Sequence, residues 1–439
     1  MKKKVHFVRA RRTFFFLAIM LFFSFCFAQQ KETKVITVED AVSLALENNI
    51  SIKRNQITLE TLELKNKYSW NSVSPSINAS ANYNQPLGNG KNDNYSLTAS
   101  GSVSIRLSPS VYTSIQSAKL NYEMGKISYE QAVKSVELEV RNAFYQMLYA
   151  KENLSLLERN LETAKQRYNL NLEKYQKGQL SELDLLSAQY SYESLIPNIE
   201  ASQITMENNM STFKQLLGLN QTESIELSGS LDDFLSSFDF TLSFDINEIP
   251  SMKNLNYQIE SAKNQLLATR FSAYGPSLSF GFSAGKDLKN TDSDFTFSLS
   301  AGVSVPLDGF LPWSSGALSI ANQKATLEDL ELQLENQKTT LEIQIQNSTK
   351  KIMQAQSQLE LLEKNVDLAK KKYDMTQTAY SHGSKDFLTL QDSANSLLNA
   401  KISLMSQKIT LLNAVLSLEN TLGIPFGTLM NEESRTNAL

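Results

Sequence analysis

The chain is nearly devoid of cysteine. Cys26 is the only one in 439 residues, which excludes intrachain disulfides and a thiolate metal site. Two histidines, His6 and His382, are too few for an imidazole cluster, so no metal site is predicted. Glycine (16 residues) and proline (9 residues) are scarce, which favours long helices over a loop-rich fold. Beyond residue 28 no stretch approaches 18 consecutive apolar residues, so no helix is expected to cross a bilayer. A membrane-crossing version of this chain would have to use strands. Also missing are a phosphate-binding loop beside a suitable strand and a convergent set of reactive side chains. The run Lys370-Lys371-Lys372 lies on a helix face in a chain of net charge −4, which is no nucleic-acid footprint. Catalytic residues, cofactors and nucleic-acid partners are therefore not expected.

What is present begins with a targeting segment. Lys2, Lys3, Lys4, Arg9, Arg11 and Arg12 precede the apolar run FFFLAIMLFFSFCF at 14–27, followed by Ala28. A basic stretch, a short apolar run and a small residue describe a secretory signal over residues 1–28. The run is shorter than the roughly 20 residues of a spanning helix. Arg11-Arg12 reads as twin-arginine export or simply as positive charge. Cys26 is a second candidate, as a lipid attachment site, although Phe25 before it is bulky for a lipoprotein signal. Cleavage after Ala28 removes Cys26 and His6 and takes the net charge from −4 to −10, because six basic and no acidic residues leave.

The mature sequence is written twice. A shift of 205 aligns Tyr168 with Tyr373, Tyr175 with Tyr380, Gly178 with Gly383, and Leu217-Gly218 with Leu422-Gly423. Nearer the strands a shift of 200 aligns Val103 with Val303, and one of 201 aligns Pro75-Ser76 with Pro276-Ser277. The expected organisation is a first repeat over 29–218, a polar connector over 219–250, a second repeat over 251–424 and a tail over 425–439.

Each repeat has the same order. A helix over 38–70 or 251–272 comes first, the earlier copy opened by Thr37 three residues before Asp40 as a cap. Two strands follow, about 76–84 and 96–107 in the first copy, 277–286 and 295–307 in the second. A helix hairpin then covers about 111–218 or 317–422. Apolar residues in its long arm step by threes and fours, as in Val136, Val140, Met147 and Leu154, or Leu341, Ile345, Ile352 and Leu359, which makes a coiled-coil seam. The arms reverse at YQKGQLS (175–181) and YSHGSKD (380–386), where glycine permits a left-handed residue. Pro197 is expected to kink the first return helix.

The strands pose the functional question. In FTFSLSAGVSVPL (295–307) one parity is Phe, Phe, Leu, Ala, Val, Val, Leu and the other is Thr, Ser, Ser, Gly, Ser, Pro. All four strands alternate in this way, with lengths close to the 9–11 or so residues of a tilted membrane strand. An apolar face toward lipid and a face of small polar residues toward water suits a barrel lumen. Arg106 is the exception on the polar parity. Four strands cannot close a barrel, and open edges in hydrocarbon cost several kcal/mol per unsatisfied group. The spanning unit must then be an oligomer: two chains make eight strands, three make twelve with room for a passage.

Three segments, TVEDAVSLALENN (37–49), YQKGQLSELDLLSAQ (175–189) and the LLGL end at 216–219, in this duplicated order, resemble the TolC-like outer-membrane efflux channels. The resemblance covers essentially the whole mature chain. It implies a mainly helical fold with transmembrane strands: a homotrimeric twelve-stranded β-barrel in the outer membrane, continued by a twelve-helix α-barrel across the periplasm. It further implies an exit duct for tripartite efflux pumps or type I secretion systems, with a periplasmic adaptor and an inner-membrane transporter as partners.

The same resemblance assigns residues. The acids that ring the periplasmic entrance fall at Thr389 and Asp392, so one of the two is replaced by threonine. The gate pair falls at Tyr380 and Lys385, with Asp184 and Glu182 of the first repeat as its candidate partners. Lysine lacks the planar fork of arginine, which loosens a gate built on paired hydrogen bonds. The adaptor-docking tips fall at Gly178, Gln179, Leu180 and Ser181, and at Gly383 and Ser384. The competing reading is a periplasmic or surface coiled-coil scaffold whose strands never enter a membrane.

Overall fold

The computed structural model describes residues 34–86, 95–231, 245–290 and 292–429. The signal segment with Cys26, part of the 219–250 connector and most of the tail lie outside the described residues. In chain order the elements begin with β1 (Lys34–Ile36), α1 (Val38–Asn48), α2 (Ile50–Lys67), β2 (Ser76–Asn84) and β3 (Ser96–Leu107). The hairpin helices α3 (Ser110–Gln176), α4 (Glu182–Glu193) and α5 (Ile196–Leu216) follow, then β4 (Ile225–Leu227). The second repeat supplies α6 (Pro250–Tyr274), β5 (Ser277–Asp287), β6 (Thr296–Ser304), α7 (Ser315–Ser381) and α8 (Phe387–Leu422).

Three expectations change. The first helix is two helices, because Asn49 is extended (φ −61°, ψ 128°) and its side chain accepts the Ser51 N–H, capping a new start. Pro197 does not bend a continuous helix. The helix ends at Glu193 and restarts at Ile196, which puts Pro197 in a first turn where no N–H is needed. The second return helix has no such residue and runs unbroken for 36 residues. Finally, β6 stops at Ser304, so Val305, Pro306 and Leu307 lie beyond the ladder. Ser304 pairs with Ser277, the first residue of β5, and no partner strand continues past it.

The chain divides into two compact units that cut across the repeats. One comprises segments 1–47 and 140–231. In it β1 and β4 form a parallel two-stranded ribbon, Lys34 opposite Ile225, a pairing with no warning in the sequence. Its core gathers Ile36, Ala41, Phe144, Tyr145, Phe213 and Leu217, all buried. Phe144 lies 6.2 Å from Phe213, ring to ring. At the edge of this core Arg141 donates two hydrogen bonds to the Glu39 carboxylate, at 2.9 and 3.1 Å, a bidentate pair that lysine could not reproduce.

The other unit comprises segments 48–139 and 232–439. Its helical core is the predicted seam: Leu341, Ile345, Ile352, Ala355 and Leu359 of α7 close on Leu411, Val415 and Leu418 of α8. Farther along α7 the seam residues Leu362, Val366 and Ala369 are only half-buried. Near the sheet, Leu62 of α2 packs where a side chain on Gly125 of α3 would otherwise stand. Asn264 of α6 donates to the Thr113 carbonyl at 2.8 Å and to the Ser117 hydroxyl at 3.2 Å. These bonds hold α6 against the start of α3 and satisfy a buried amide.

In the same unit β2, β3, β5 and β6 make one antiparallel sheet in that order. Each repeat contributes a hairpin, and β3 pairs with β5 to join them. Helix α7, at 67 residues, extends about 100 Å from the sheet.

Candidate functional site

The sheet register keeps the two faces separate across all four strands. Ile77 lies opposite Val103, Val103 opposite Phe282, and Phe282 opposite Leu299. One residue along, Asn78 meets Ser102, Ser102 meets Ser283, and Ser283 meets Ser298. A single-residue slip at any ladder would mix the faces, and none occurs. On the small face several hydroxyls bond to one another or to the backbone. Ser76 and Ser104 share a hydrogen bond of 2.7 Å, Ser80 and Ser100 one of 2.9 Å, and Ser300 donates to the Gly281 carbonyl at 3.3 Å.

Among the described residues nothing covers the apolar face. Leu299 is 84% exposed, Ile77 75%, Val303 70% and Phe297 67%. Such a contiguous patch marks a membrane or assembly surface. The outer edges of β2 and β6 are also unpaired among the described residues.

Aromatic side chains gather at both ends of this face. At the hairpin-tip end Tyr83 lies 5.8 Å from Tyr95 and Phe295 lies 6.2 Å from Phe297. Lys286 stands over the Phe295 ring at 5.6 Å. At the helix end Trp70, Tyr112, Phe310 and Trp313 are exposed, and they include both tryptophans of the chain. Two aromatic belts separated by an apolar band are what the two lipid–water interfaces select. Tyr83, Phe295 and Phe297 belong to the alternating pattern legible in the sequence, whereas Trp70 shortly before β2 and Trp313 shortly after β6 bracket the strands from outside it. Among the described residues no helix is long and apolar enough to span a membrane.

The helix reversals are built alike. Gly178 (φ 68°) and Gly383 (φ 74°) are both left-handed, a conformation that costs other residues about 1 kcal/mol or more. In the first tip Gln179 N–H donates to Lys174 O and Gly178 N–H to Tyr175 O. In the second, Ser384 N–H donates to Ala379 O and Gly383 N–H to Tyr380 O. Both are paired 6→1 and 5→2 bonds that close a helix C-terminus. Gln179, Ser181 and Ser384 are exposed and Leu180 is half-buried.

Each return helix then starts on its own cap. Ser181 accepts the Asp184 N–H at 3.1 Å and donates its hydroxyl to the Asp184 carboxylate at 2.7 Å. Glu182 beside it is exposed. In the second repeat Asp386, which the sequence reading did not single out, accepts the Thr389 N–H at 2.8 Å. Thr389 thereby serves the cap and is half-buried, whereas Asp392 three residues on is exposed. Tyr380 packs against Phe387 at 6.1 Å between ring centres. Lys385 is exposed and forms no ion pair among the described residues.

Hydrogen bonds from Thr389, aided by the Lys385 charge, hold the Asp386 carboxyl below its ordinary value of 3.8. A lowered folded-state value favours the carboxylate, so this stabilising contribution is complete above the ordinary value and disappears as pH falls through the lowered one. The exchange protection of the Thr389 amide, corrected for the intrinsic rate, should therefore weaken only in acid. In Asp386→Ala it should be weak at every pH, and strong protection there at neutral pH would show that the cap is held by other groups.

A family described as outer membrane efflux protein matches residues 41–219 and again 238–424. The CmeC outer membrane channel of Campylobacter jejuni superposes with a TM-score of 0.74 at 18% identity, covering 91% of this chain and 89% of that one. The outer membrane protein VceC of Vibrio cholerae gives 0.71 at 14% identity, covering 89% and 96%. The open state of the MtrE outer membrane channel of Neisseria gonorrhoeae gives 0.71 at 18% identity, covering 88% and 89%. No curated protein sequence matches the chain significantly. Likeness at these identities shows the fold. The family match goes further, because it covers both halves of the duplication, and the chain accordingly belongs to the outer membrane efflux protein family, channels that sit in the outer membrane and reach into the periplasm.

Proposed function

We propose that three copies of this chain close a twelve-stranded barrel and serve as the passive exit duct of a tripartite efflux pump or a type I secretion system. The observation that carries this reading is the sheet with an exposed apolar face and two open edges. In hydrocarbon such edges cannot persist, so β2 of one copy must pair with β6 of the next. Two copies would make a barrel filled by its own side chains, whereas three leave a lumen. The lumen face, rich in serine, glycine and asparagine, is small enough to keep it open.

A second surface supports assembly outside the bilayer. On α7, Leu332, Ile343, Met353, Leu361, Leu368 and Met375 are all exposed. Their spacings of 11, 10, 8, 7 and 7 residues keep all six within an arc of about 80° on one face. Such a stripe is a seam awaiting a neighbouring helix, and sister copies supply one.

The tips Gly178–Ser181 and Gly383–Ser384 are the surfaces proposed to dock a periplasmic adaptor, which in turn meets an inner-membrane transporter. Asp392, exposed near the start of α8, would place three carboxylates around the entrance and favour cations. Thr389 contributes no charge there. Tyr380 and Lys385, with Asp184 and Glu182, remain the proposed gate. Mass measurement of the detergent-solubilised protein tests the stoichiometry directly, with three chain masses expected. A stable single chain or dimer would overturn the duct. In planar bilayers Asp392→Asn should lower the cation-to-anion permeability ratio by about twofold or more, and an unchanged ratio would remove Asp392 from the entrance.

A further inference from the structure

Arg106 is the one basic side chain on the hydroxyl face of the paired strands. It lies on β3 at the parity of Ser100, Ser102 and Ser104, directly opposite Ser279 of β5, which in turn lies opposite Gly302 of β6. The row therefore reads arginine, serine, glycine, with no acid in it. Arg106 is exposed and has neither an ion pair nor a hydrogen-bond partner for its guanidinium among the described residues. The other ionisable side chain of this face in the paired strands is Asp287, opposite Thr98. That is eight residues along β3, about 26 Å, well beyond the roughly 8 Å over which salt screens a charge. Lys286 occupies the opposite, apolar parity.

We propose that Arg106 is a specificity-determining residue: three copies ring the helix-side end of the barrel lumen and attract solutes bearing carboxylate, phosphate or sulfonate groups. This rests on the oligomeric barrel proposed above. A guanidinium offers a planar fork of donors that matches an oxyanion. Gly281 and Gly302 have no side chains, and only the Ser300 and Ser279 hydroxyls lean into their places, so nothing bulkier than a hydroxyl stands beside it in the paired strands. The ring lies at the far end of α7 from Asp392, about 100 Å away along that helix, so the duct would meet a solute first with negative and later with positive charge.

A local probe of potential avoids any narrowing at the tips. In a Cys26→Ser background, which removes the only native thiol, Ser279→Cys places one thiol beside Arg106. The assembled protein in neutral lipid vesicles is treated with an anionic sulfonate-bearing and a cationic ammonium-bearing thiosulfonate reagent from the hairpin-tip side. The ratio of anionic to cationic rate constants should fall about fivefold or more when Arg106→Ser is added. Arg106→Lys should keep most of the ratio, because the charge remains. A thiol at Ser283, four residues along β5 and about 13 Å away, should change little. An unchanged ratio at position 279 overturns the proposal. A thiol at 279 that neither reagent reaches means that the hydroxyl face is not aqueous, which overturns the barrel itself. Should Arg106→Ser fail to assemble, Arg106→Gln makes the same comparison with the side-chain volume kept.

Discussion

Leu299→Arg should abolish accumulation of assembled protein in the outer membrane, while Ser298→Arg, one residue away, should leave it largely intact. The two positions are neighbours in β6 but lie on opposite faces, Leu299 opposite Phe282 and Ser298 opposite Ser283. Leu299 is near the middle of the strand and 84% exposed on the apolar face. An arginine at the lipid midplane costs about 2–4 kcal/mol, and a symmetric assembly incurs it once per copy. At position 298 the same side chain would face the proposed water-filled lumen among hydroxyls. Membrane fractionation and the heat-modifiable mobility of the assembly report both outcomes. Equal behaviour of the two variants would mean that the faces are not divided between lipid and water, and the channel reading would fall with that division.

Glu419→Ala should release the segment that follows α8 and lower the thermal stability of the helical unit. Glu419 is fully buried, at 0% exposure. Its carboxylate accepts the Gly427 N–H at 3.0 Å and the Leu429 N–H at 2.8 Å. Gly427 is left-handed (φ 85°), so the chain after Gly423 curls back over the helix end and puts Leu429 into the core beside Ile249 and Leu418. Lys134 donates to the Gly423 carbonyl at the same end. Hydrogen bonds to a charged acceptor contribute about 1.5–3 kcal/mol each, and alanine removes the carboxylate to which both N–H groups donate, that of Leu429 being buried. The loss should exceed about 3 kcal/mol. Glu419→Gln, which keeps one carbonyl oxygen, should fall between the two. Protease cleavage after residue 424 and the temperature of dissociation measure the effect. A stability within about 0.5 kcal/mol of the wild type would show that the carboxylate does not hold this turn.

Much of this architecture is readable in the amino-acid order because it is local. Alternation of period 2 separates Phe297, Leu299 and Val303 from Ser298, Ser300 and Gly302 before any partner strand is known. The glycines at 178 and 383 mark helix reversals because only their own backbone conformation matters there. Asn49 and Pro197 were harder. A capping asparagine and a proline both permit continuation or interruption, and the choice depends on what packs around the break. Asp386 was also legible in principle, since Asp-x-x-Thr before an apolar run is an N-cap pattern.

Residue order alone settles which residues share a strand face and where the long helices turn, since each follows from residues a few positions apart, and the duplication shows on direct comparison at a shift of 205. Three-dimensional packing set the rest: β3 pairs with β5, β1 and β4 form a parallel ribbon, and Asn264 reaches Thr113 across 151 residues. It also decided that Glu419 is buried and that Arg106 has no acid in its row. These pairings join segments that no period connects, and packing chooses among many partners of equal local propensity.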